Sequence, residues 1–321
     1  EEPSMNFFTA LLAQMPDAVA KGLIWGLMAL GVYITYKILD FPDLTVDGSL
    51  CTGGAVAAVM IVSGIPAPIA LVGALIAGGV TGAVTGVLHT KMGIPGILAG
   101  ILTQLALYSI NLRIMGNRSN VSVSVDQFPL MASIRYPEQT CLIALLFCVG
   151  IVAVLCWFFG TELGSAVRAT GSNPNMARAQ GINTNGTKMV ALILSNALVG
   201  LSGGLFAQYQ SASDVNMGRG AIVIGLAAVI IGQVLFSRVR SFGGQLTGVV
   251  VGAIVYYIVI ALVIRMGLNT NDMKLISALV VAIFLAVPYW KANWAVKNRR
   301  RSVSAGVQSR DPAWNRRSNH A

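Results

Sequence analysis

The chain has 321 residues, of which 55% are hydrophobic and 11% charged, and its mean hydropathy is +0.72. That much apolar surface exceeds what one soluble core could bury, so the composition excludes a soluble globular domain and indicates a membrane protein. The net charge of +10 does not indicate nucleic-acid binding, because eight of the 22 basic residues crowd into 291–317, where anionic lipid headgroups are the simpler partner.

Apolar segments of about 20 residues predict membrane-spanning helices. They lie at 17–36, 49–64, 66–88, 94–112, 140–160, 186–208, 221–236, 242–264 and 273–290. The sequence therefore predicts an all-α, polytopic integral membrane helical bundle with about nine transmembrane segments in the plasma (cytoplasmic) membrane. Residues 1–16 are predicted to be an extracytoplasmic segment, 17–290 the transmembrane domain, and 291–321 a basic, disordered cytoplasmic tail. Basic residues are equally common in the inner and outer loops, so the tail alone sets this orientation.

The first connection, 38–48, carries three carboxylates and a proline, and the span after it is short. This pattern predicts a broken or re-entrant helix near 38–48. Charge at membrane depth is costly, so Asp40, Asp43 and Asp47 would face protein or a water-filled path there, where they could contact a solute. The alternative, which the sequence leaves open, is that Asp43 or Asp47 caps the helix that begins near Ser49.

Uncharged polar side chains occur within several spans, and each has two interpretations. Such groups either hydrogen-bond between helices or line a pore, and the interhelical role is the simpler one for any single residue. The cluster as a whole is more informative than its members. Together with two of the carboxylates, these residues are the candidates for a translocation path: Asp43, Asp47, Gln104, Asn111, Asn196, Gln208 and Gln233.

The outer connection 113–139 mixes serine, asparagine, valine, proline and charged residues. This composition is consistent with a short interfacial helix and equally with a docking surface for an external partner. Loop composition does not separate the two.

Motifs of catalytic chemistry are weak or absent. The chain has no Gly-x-x-x-x-Gly-Lys-Ser/Thr phosphate loop, so ATP hydrolysis is not assigned to it. Ser202 lies in a Gly-x-Ser-x-Gly pattern, which raises the alternative of an intramembrane serine protease. Its apolar helical setting and the lack of a neighbouring histidine base favour helix packing instead. The four cysteines lie in apolar stretches without a histidine cluster, so no metal or other cofactor is predicted.

The cytoplasmic loop 161–185 is the most informative connection, because it is polar and predicted to be partly helical. Asn173 can cap a helix whose first residue is Pro174, and Gly181 can end that helix in the left-handed conformation. An exposed helix of small residues has little reason to be rigid unless a partner binds it. The loop is therefore predicted to be a mechanical handle, with a connector that rests on the membrane as the alternative.

The stretch Gly171-Ser-Asn-Pro-Asn-Met-Ala-Arg-Ala-Gln-Gly-Ile182 resembles the coupling segment of permease subunits in the branched-chain amino acid and ribose class of ABC importers. The usual family form is Gly-x-Asn-x-x-Ala-Ala-x-x-x-Gly-Ile, and Met176 replaces one of its small residues. The resemblance covers most of 17–290, including 30–33 and the glycine-rich run 220–232. Residues 41–48 are similar to a subgroup of these permeases that is paired with binding proteins for aromatic amino acids.

The resemblance implies a permease subunit that forms the path of an ATP-driven importer for a small solute of the amino acid, sugar or nucleoside class. It also implies two cytoplasmic ATPase subunits, a second permease copy in a homodimer, and an extracytoplasmic binding protein that docks on 113–139. The partner then hydrolyses ATP, and this chain is not an enzyme. The implied ATPase contacts are Gly171, Asn173, Pro174, Ala177, Arg178, Gly181 and Ile182.

The competing interpretation is an ion-coupled secondary transporter. Such a protein carries charged groups in the middle of its spans, and the later spans of this chain hold none. The carboxylates between Asp40 and Asp47 are the sole support for this alternative.

Overall fold

A computed structural model describes residues 7–125, 127–239 and 241–265, together with 275, 278, 279, 281–283 and 286. The chain divides into two compact units, Glu1–Lys274 and Leu275–Ala321, and the described positions of the second unit are helical. Apart from those positions, the predicted span at 273–290 lies outside the described residues, as do the predicted tail at 291–321 and residues 1–6.

The described part of the first unit consists of ten helices and two short strands. The elements are α1 (Phe7–Tyr33), which continues as a π-helical turn over Ile34–Ile38, α2 (Val46–Val62), α3 (Ala67–Thr90), α4 (Gly96–Ile114), β1 (Asn120–Ser122), α5 (Pro137–Gly160), α6 (Glu162–Ser172), α7 (Pro174–Ala179), α8 (Thr184–Tyr209), β2 (Ala212–Asp214), α9 (Ala221–Leu235) and α10 (Phe242–Arg265). The prediction of an all-α, polytopic bundle is confirmed.

Six of these helices are long and apolar enough to cross a membrane, counted over the described residues: α1 from Gln14, α3, α4, α5, α8 and α10. The predicted spans at 49–64 and 221–236 correspond to the shorter apolar helices α2 and α9. The first helix begins at Phe7, ahead of the predicted start at residue 17. Eight of the predicted segments are therefore helical, but two of them are too short to count as full spans.

The outer connection 113–139 does not form the short interfacial helix that was one of its two interpretations, within the residues described there. It forms strand β1 instead, which pairs antiparallel with β2 in the register Val121 to Ser213. Helix α7 comes directly before α8 in the chain, and β2 comes directly after α8. The strand pair and α7 therefore lie at opposite ends of α8. We call these the β end and the α7 end.

Helices α1 and α8 run antiparallel through the centre of the unit, and polar contacts fasten them at intervals of two helical turns. Tyr209 donates to Asp17, the Ser202 hydroxyl donates to the Ile24 carbonyl over 2.7 Å, and the Ser195 hydroxyl donates to the Gly31 carbonyl over 2.7 Å. Each serine hydroxyl thus donates to a backbone carbonyl of α1, because a buried polar group in a membrane protein needs a hydrogen-bond partner within the protein.

Helices α2, α3 and α8 approach one another closely because glycines lie at their crossing points. A Cβ at Gly53 of α2 would overlap the backbone of Gly200 in α8, and a Cβ at Gly78 of α3 would overlap the Asn196 carbonyl. Small residues permit such contacts in lipid, where close packing holds helices together in place of the hydrophobic effect. The glycine-rich composition therefore serves helix packing.

Gly53→Ala should destabilise the bundle, because the added methyl group has to displace the backbone of α8. Overpacking of a tight contact costs about 1–3 kcal/mol, which thermal unfolding of the detergent-purified protein detects as a lowered midpoint. Gly150→Ala in α5 is the matched control, since a Cβ there meets nothing within 4 Å. Equal midpoints for the two variants would contradict the close approach of α2 and α8.

Candidate functional site

The helical path breaks between Ile38 and Val46, as the sequence predicts. The π-helical turn ends where the Leu39 N–H donates to the Ile34 carbonyl, and the exposed Asp40 follows with a φ of 53°, a left-handed conformation that aspartate tolerates. The next residues turn into the bundle, where Phe41 and Asp43 are buried. Asp40 thus ends α1 at the surface.

Asp43 is held by hydrogen bonds in the interior of the bundle. Its exposure is 3%, and its carboxylate accepts from the Asn196 amide over 2.7 Å and from the Thr45 N–H over 2.9 Å. Asn196 lies at the midpoint of the 26-residue helix α8. Its side-chain amide oxygen accepts from the Ser49 hydroxyl over 2.6 Å. For Asn196 the structure therefore bears out the interhelical interpretation.

Asp47 caps a helix, but not the one in which it lies. Its carboxylate oxygens accept from the N–H groups of Gly220 and Ile222, 3.0 and 2.9 Å away, at the N-terminus of α9. The interpretation that Asp47 caps the helix near Ser49 is therefore wrong, because Asp47 already belongs to the first turn of α2. A carboxylate at a helix N-terminus also offsets the positive end of the helix dipole.

Three of the predicted path residues meet in one pocket of about 250 Å³, formed by the first turn of α2, by α4, and by the connection before α9. We call it the Asp47 pocket. Gln104 and Asn111 line it from α4, and the Asn111 amide oxygen, in a side chain 1% exposed, has no hydrogen-bond partner among the described residues.

Sequence reasoning missed the other residues that line the Asp47 pocket, among them Tyr108 and Arg219. Tyr108 lies one helical turn before Asn111 on the same face of α4, a periodicity that could have identified it. Arg219 lies in the connection between the predicted spans 186–208 and 221–236. No local signal marks it, because its position depends on the long-range contact between Asp47 and Gly220.

The other predicted path residues lie elsewhere. Gln208 is buried at the β end, where its carbonyl oxygen accepts from the Met131 N–H over 3.1 Å. Gln233 lines a separate pocket of about 120 Å³ with Lys37 and Gln245. The predicted set is therefore divided between the Asp47 pocket, the Asp43–Asn196 bond and these two outlying positions.

Helix α7 forms as its sequence predicts. The Asn173 side chain accepts from the N–H groups of Asn175 and Met176, and Pro174 occupies the first helical position. At the other end Gly181 has a φ of 81°, and the Ile182 N–H donates to the Ala177 carbonyl over 3.0 Å, which closes a Schellman motif. Each of these local predictions is confirmed.

The segment around α7 is fastened to the bundle on one side and exposed on the other. The Thr170 and Thr187 hydroxyls lie 2.8 Å apart, and the Arg178 Nε donates to the Thr184 hydroxyl over 2.8 Å. Gly171 of α6 packs directly against the backbone at the end of α1. Ala177 is buried, whereas Met176 is 63% exposed, so α7 presents an apolar side chain outward from a fixed position.

The serine that raised the protease alternative belongs to the contact between α1 and α8. Ser202 is buried and donates to the Ile24 carbonyl. His89 lies toward the α7 end, where its Nδ1 is 2.9 Å from the Ile94 carbonyl and its Nε2 is 3.1 Å from the Lys188 ammonium. The two side chains are engaged with different partners in different parts of the unit.

Residues 15–287 match the family described as the permease component of branched-chain amino acid transport systems. The chain is 41% identical to the tyrosine transport system permease protein of Clostridioides difficile (strain R20291), over 84% of this chain and 90% of that protein. It is 34% identical to an uncharacterized protein of Rickettsia prowazekii (strain Madrid E), over 84% and 95%. It is 25% identical to the ribose import permease protein of Escherichia coli (strain K12), over 88% and 87%.

Asn196→Leu should destabilise the protein by about 3 kcal/mol, because it leaves the Asp43 carboxylate buried without its amide donor. The matched substitution Asn111→Leu should cost much less, since the Asn111 oxygen gives up no hydrogen bond to a described residue. Thermal unfolding in detergent compares the two. If Asn111→Leu unfolds at the lower temperature, the assigned roles of the two amides are wrong.

Asn173→Ala should loosen α7, because the first turn loses both hydrogen bonds of its cap. Loss of an N-cap costs about 1 kcal/mol, so the amides of 174–180 should exchange with solvent about fivefold faster. Hydrogen exchange followed by mass spectrometry measures this. Asn173→Asp retains the cap and should restore protection, and unchanged exchange in the alanine variant would show that other contacts order α7.

Proposed function

Because the chain belongs to the family of permease components of branched-chain amino acid transport systems, we propose that it forms the translocation path of an ATP-driven importer. The solute is an amino acid with an aromatic side chain, delivered by an extracytoplasmic binding protein. The energy comes from ATPase subunits that bind at the α7 end, and a second copy of the chain completes the path. The protein lies in the plasma membrane with its tail in the cytoplasm.

The observation that carries this proposal is the construction of α7. A helix of six residues is too short to be stable in water unless both ends are capped and its position is fixed, and α7 meets both conditions. Its outward side chain, Met176, is apolar and 63% exposed. A short, rigid, exposed apolar contact suits a partner that pushes on the bundle, so the coupling role is assigned to 171–182.

Within that segment the residues have different tasks. Asn173, Pro174, Gly181 and Ile182 build the helix ends, and Ala177 and Arg178 attach the helix to the bundle. Gly171 allows α6 to pack on the end of α1. The ATPase contact itself then falls on the exposed face around Met176, and the motif residues position that face.

The solute class rests on two supports. The tyrosine transport system permease protein of Clostridioides difficile is 41% identical over 84% of this chain. The Asp47 pocket provides hydrogen-bonding groups of both kinds at the level where α2 begins, which an amino acid requires. Polar groups at membrane depth are expected to face a solute path and not lipid, so Asp47, Gln104 and Asn111 are assigned to the path.

The secondary-transporter alternative loses its main support. Of its three carboxylates, Asp40 is exposed at the end of α1, Asp43 is bonded to Asn196, and Asp47 caps α9. Asp43 and Asp47 therefore have structural roles that need no coupling ion.

Uptake of labelled tyrosine by cells that lack this gene should return when the wild-type chain is restored, and it should need ATP. Uptake should survive an uncoupler in cells whose ATP is maintained by fermentation, because no ion gradient drives it. Abolition of uptake by the uncoupler under those conditions would support the secondary transporter, and a complemented strain without tyrosine uptake would refute the proposed solute.

Met176→Glu should uncouple the importer, because it places a charge in an apolar contact. The ATPase subunit that co-purifies with the chain in mild detergent should fall by roughly tenfold, as expected for loss of a central interface side chain, and tyrosine uptake should fall with it. Ile134→Glu is the matched control, since Ile134 is 55% exposed at the β end, where its N–H donates to the Tyr209 carbonyl. Equal recovery of the ATPase with both variants would remove α7 from the interface.

A further inference from the structure

The Asp47 pocket carries the complementary groups that a free amino acid needs, and they lie on separate walls. Its volume of about 250 Å³ suits a solute of that size. Arg219 lines the wall formed by the connection before α9, and Asn111 and Tyr108 line the wall formed by α4.

Arg219 is exposed, and it forms no close ion pair with a described residue. In the part of the chain that the structure describes, the sole ion pair joins Lys21 to Asp17. The nearby Asp47 carboxylate accepts from Gly220 and Ile222 instead. Arginine binds carboxylates through paired hydrogen bonds, and the first turn of α2 begins beside it. The Arg219 wall therefore favours a carboxylate group on the solute.

Asn111 offers a hydrogen-bond acceptor, which suits the ammonium group of the solute. Asn111 lines the pocket, and its buried amide oxygen has no donor among the described residues. An unpaired buried acceptor costs about 1–3 kcal/mol, which a solute recovers when it brings a donor. An ammonium group offers three donors to such an acceptor.

The third group on the solute is apolar and flat. Tyr108 is 44% exposed and Leu105 is 66% exposed, and both line the pocket from α4. An aromatic ring that packs on Tyr108 gains an offset or edge contact between rings in addition to burial. This wall distinguishes an aromatic side chain from a small one.

We propose that the Asp47 pocket is a solute subsite for a free aromatic amino acid, with its carboxylate at Arg219, its ammonium at Asn111 and its ring on Tyr108. This assignment rests on the proposed function, and it makes the permease itself a weak selector of the solute. A solute that lacks the free ammonium group leaves Asn111 unpaired, and one that lacks the free carboxylate leaves Arg219 unpaired.

Direct binding to the purified chain tests this subsite without the binding protein or ATP. Saturation-transfer NMR in detergent should detect tyrosine, with roughly tenfold weaker binding of tyramine, which lacks the carboxylate, and of 4-hydroxyphenylpropionate, which lacks the ammonium. Arg219→Gln should abolish only the preference for tyrosine over tyramine. Asn111→Leu should abolish only the preference for tyrosine over 4-hydroxyphenylpropionate. Arg219→Lys should retain part of the first preference.

Arg113→Gln is the matched control, because Arg113 is an exposed arginine on α4 that does not line the pocket. The Arg113→Gln variant should prefer tyrosine over tyramine and over 4-hydroxyphenylpropionate to the same extent as the wild type. The subsite is refuted if tyrosine does not bind the wild-type chain, or if the pocket variants discriminate as the wild type does. Tyrosine uptake with no such binding would leave the proposed function standing and the subsite refuted, whereas binding without any uptake would refute the function.

Discussion

The hydrogen bond between Asp43 and Asn196 fixes a non-helical segment in the middle of the bundle, and the positions of the short helices follow from it. Backbone that leaves the helical conformation at membrane depth has to find its partners within the protein. The Asp43 carboxylate accepts from the Thr45 N–H in this segment, and Asn196 holds that carboxylate from the midpoint of α8. The Ser49 hydroxyl donates to the Asn196 side chain and completes the link to α2. Helix α2 therefore begins inside the bundle, where Asp47 can reach the N-terminus of α9.

The two short helices occupy equivalent places in two halves that run in opposite directions. Each half has a long helix, a break, a short helix and another long helix: α1, α2 and α3 in the first half, and α8, α9 and α10 in the second. Helix α3 packs along α8 at Gly78, and α10 packs along α1 at Gly22. Inverted repeats with broken helices at their centre are a common architecture of membrane transporters, and here the two breaks meet at Asp47.

Features that depend on neighbouring residues could be predicted from the sequence. The apolar segments mark the helices, and Asn173 and Gly181 mark the two ends of α7, because capping involves residues within one or two turns. The role of Asp47 could not be predicted, because its partners lie at Gly220 and Ile222 in another part of the chain. The same limit applies to Arg219, which lies in a connection between predicted spans and has no local signal. Polar residues in spans are ambiguous for this reason: Asn111 and Asn196 have the same local setting and different surroundings.

The break also connects the Asp47 pocket with the α7 end of the unit. Gly171 lies against the backbone of Ile38 and Leu39 with no room for a Cβ, so a movement of α6 acts directly on the start of the break. A second route runs through the first turn of α8, where Thr187 is bonded to Thr170. Packed backbone transmits displacement with little compression. The Asp43–Asn196 bond in turn joins the break to α8, so α6, the break and α8 form one contiguous series of packed contacts.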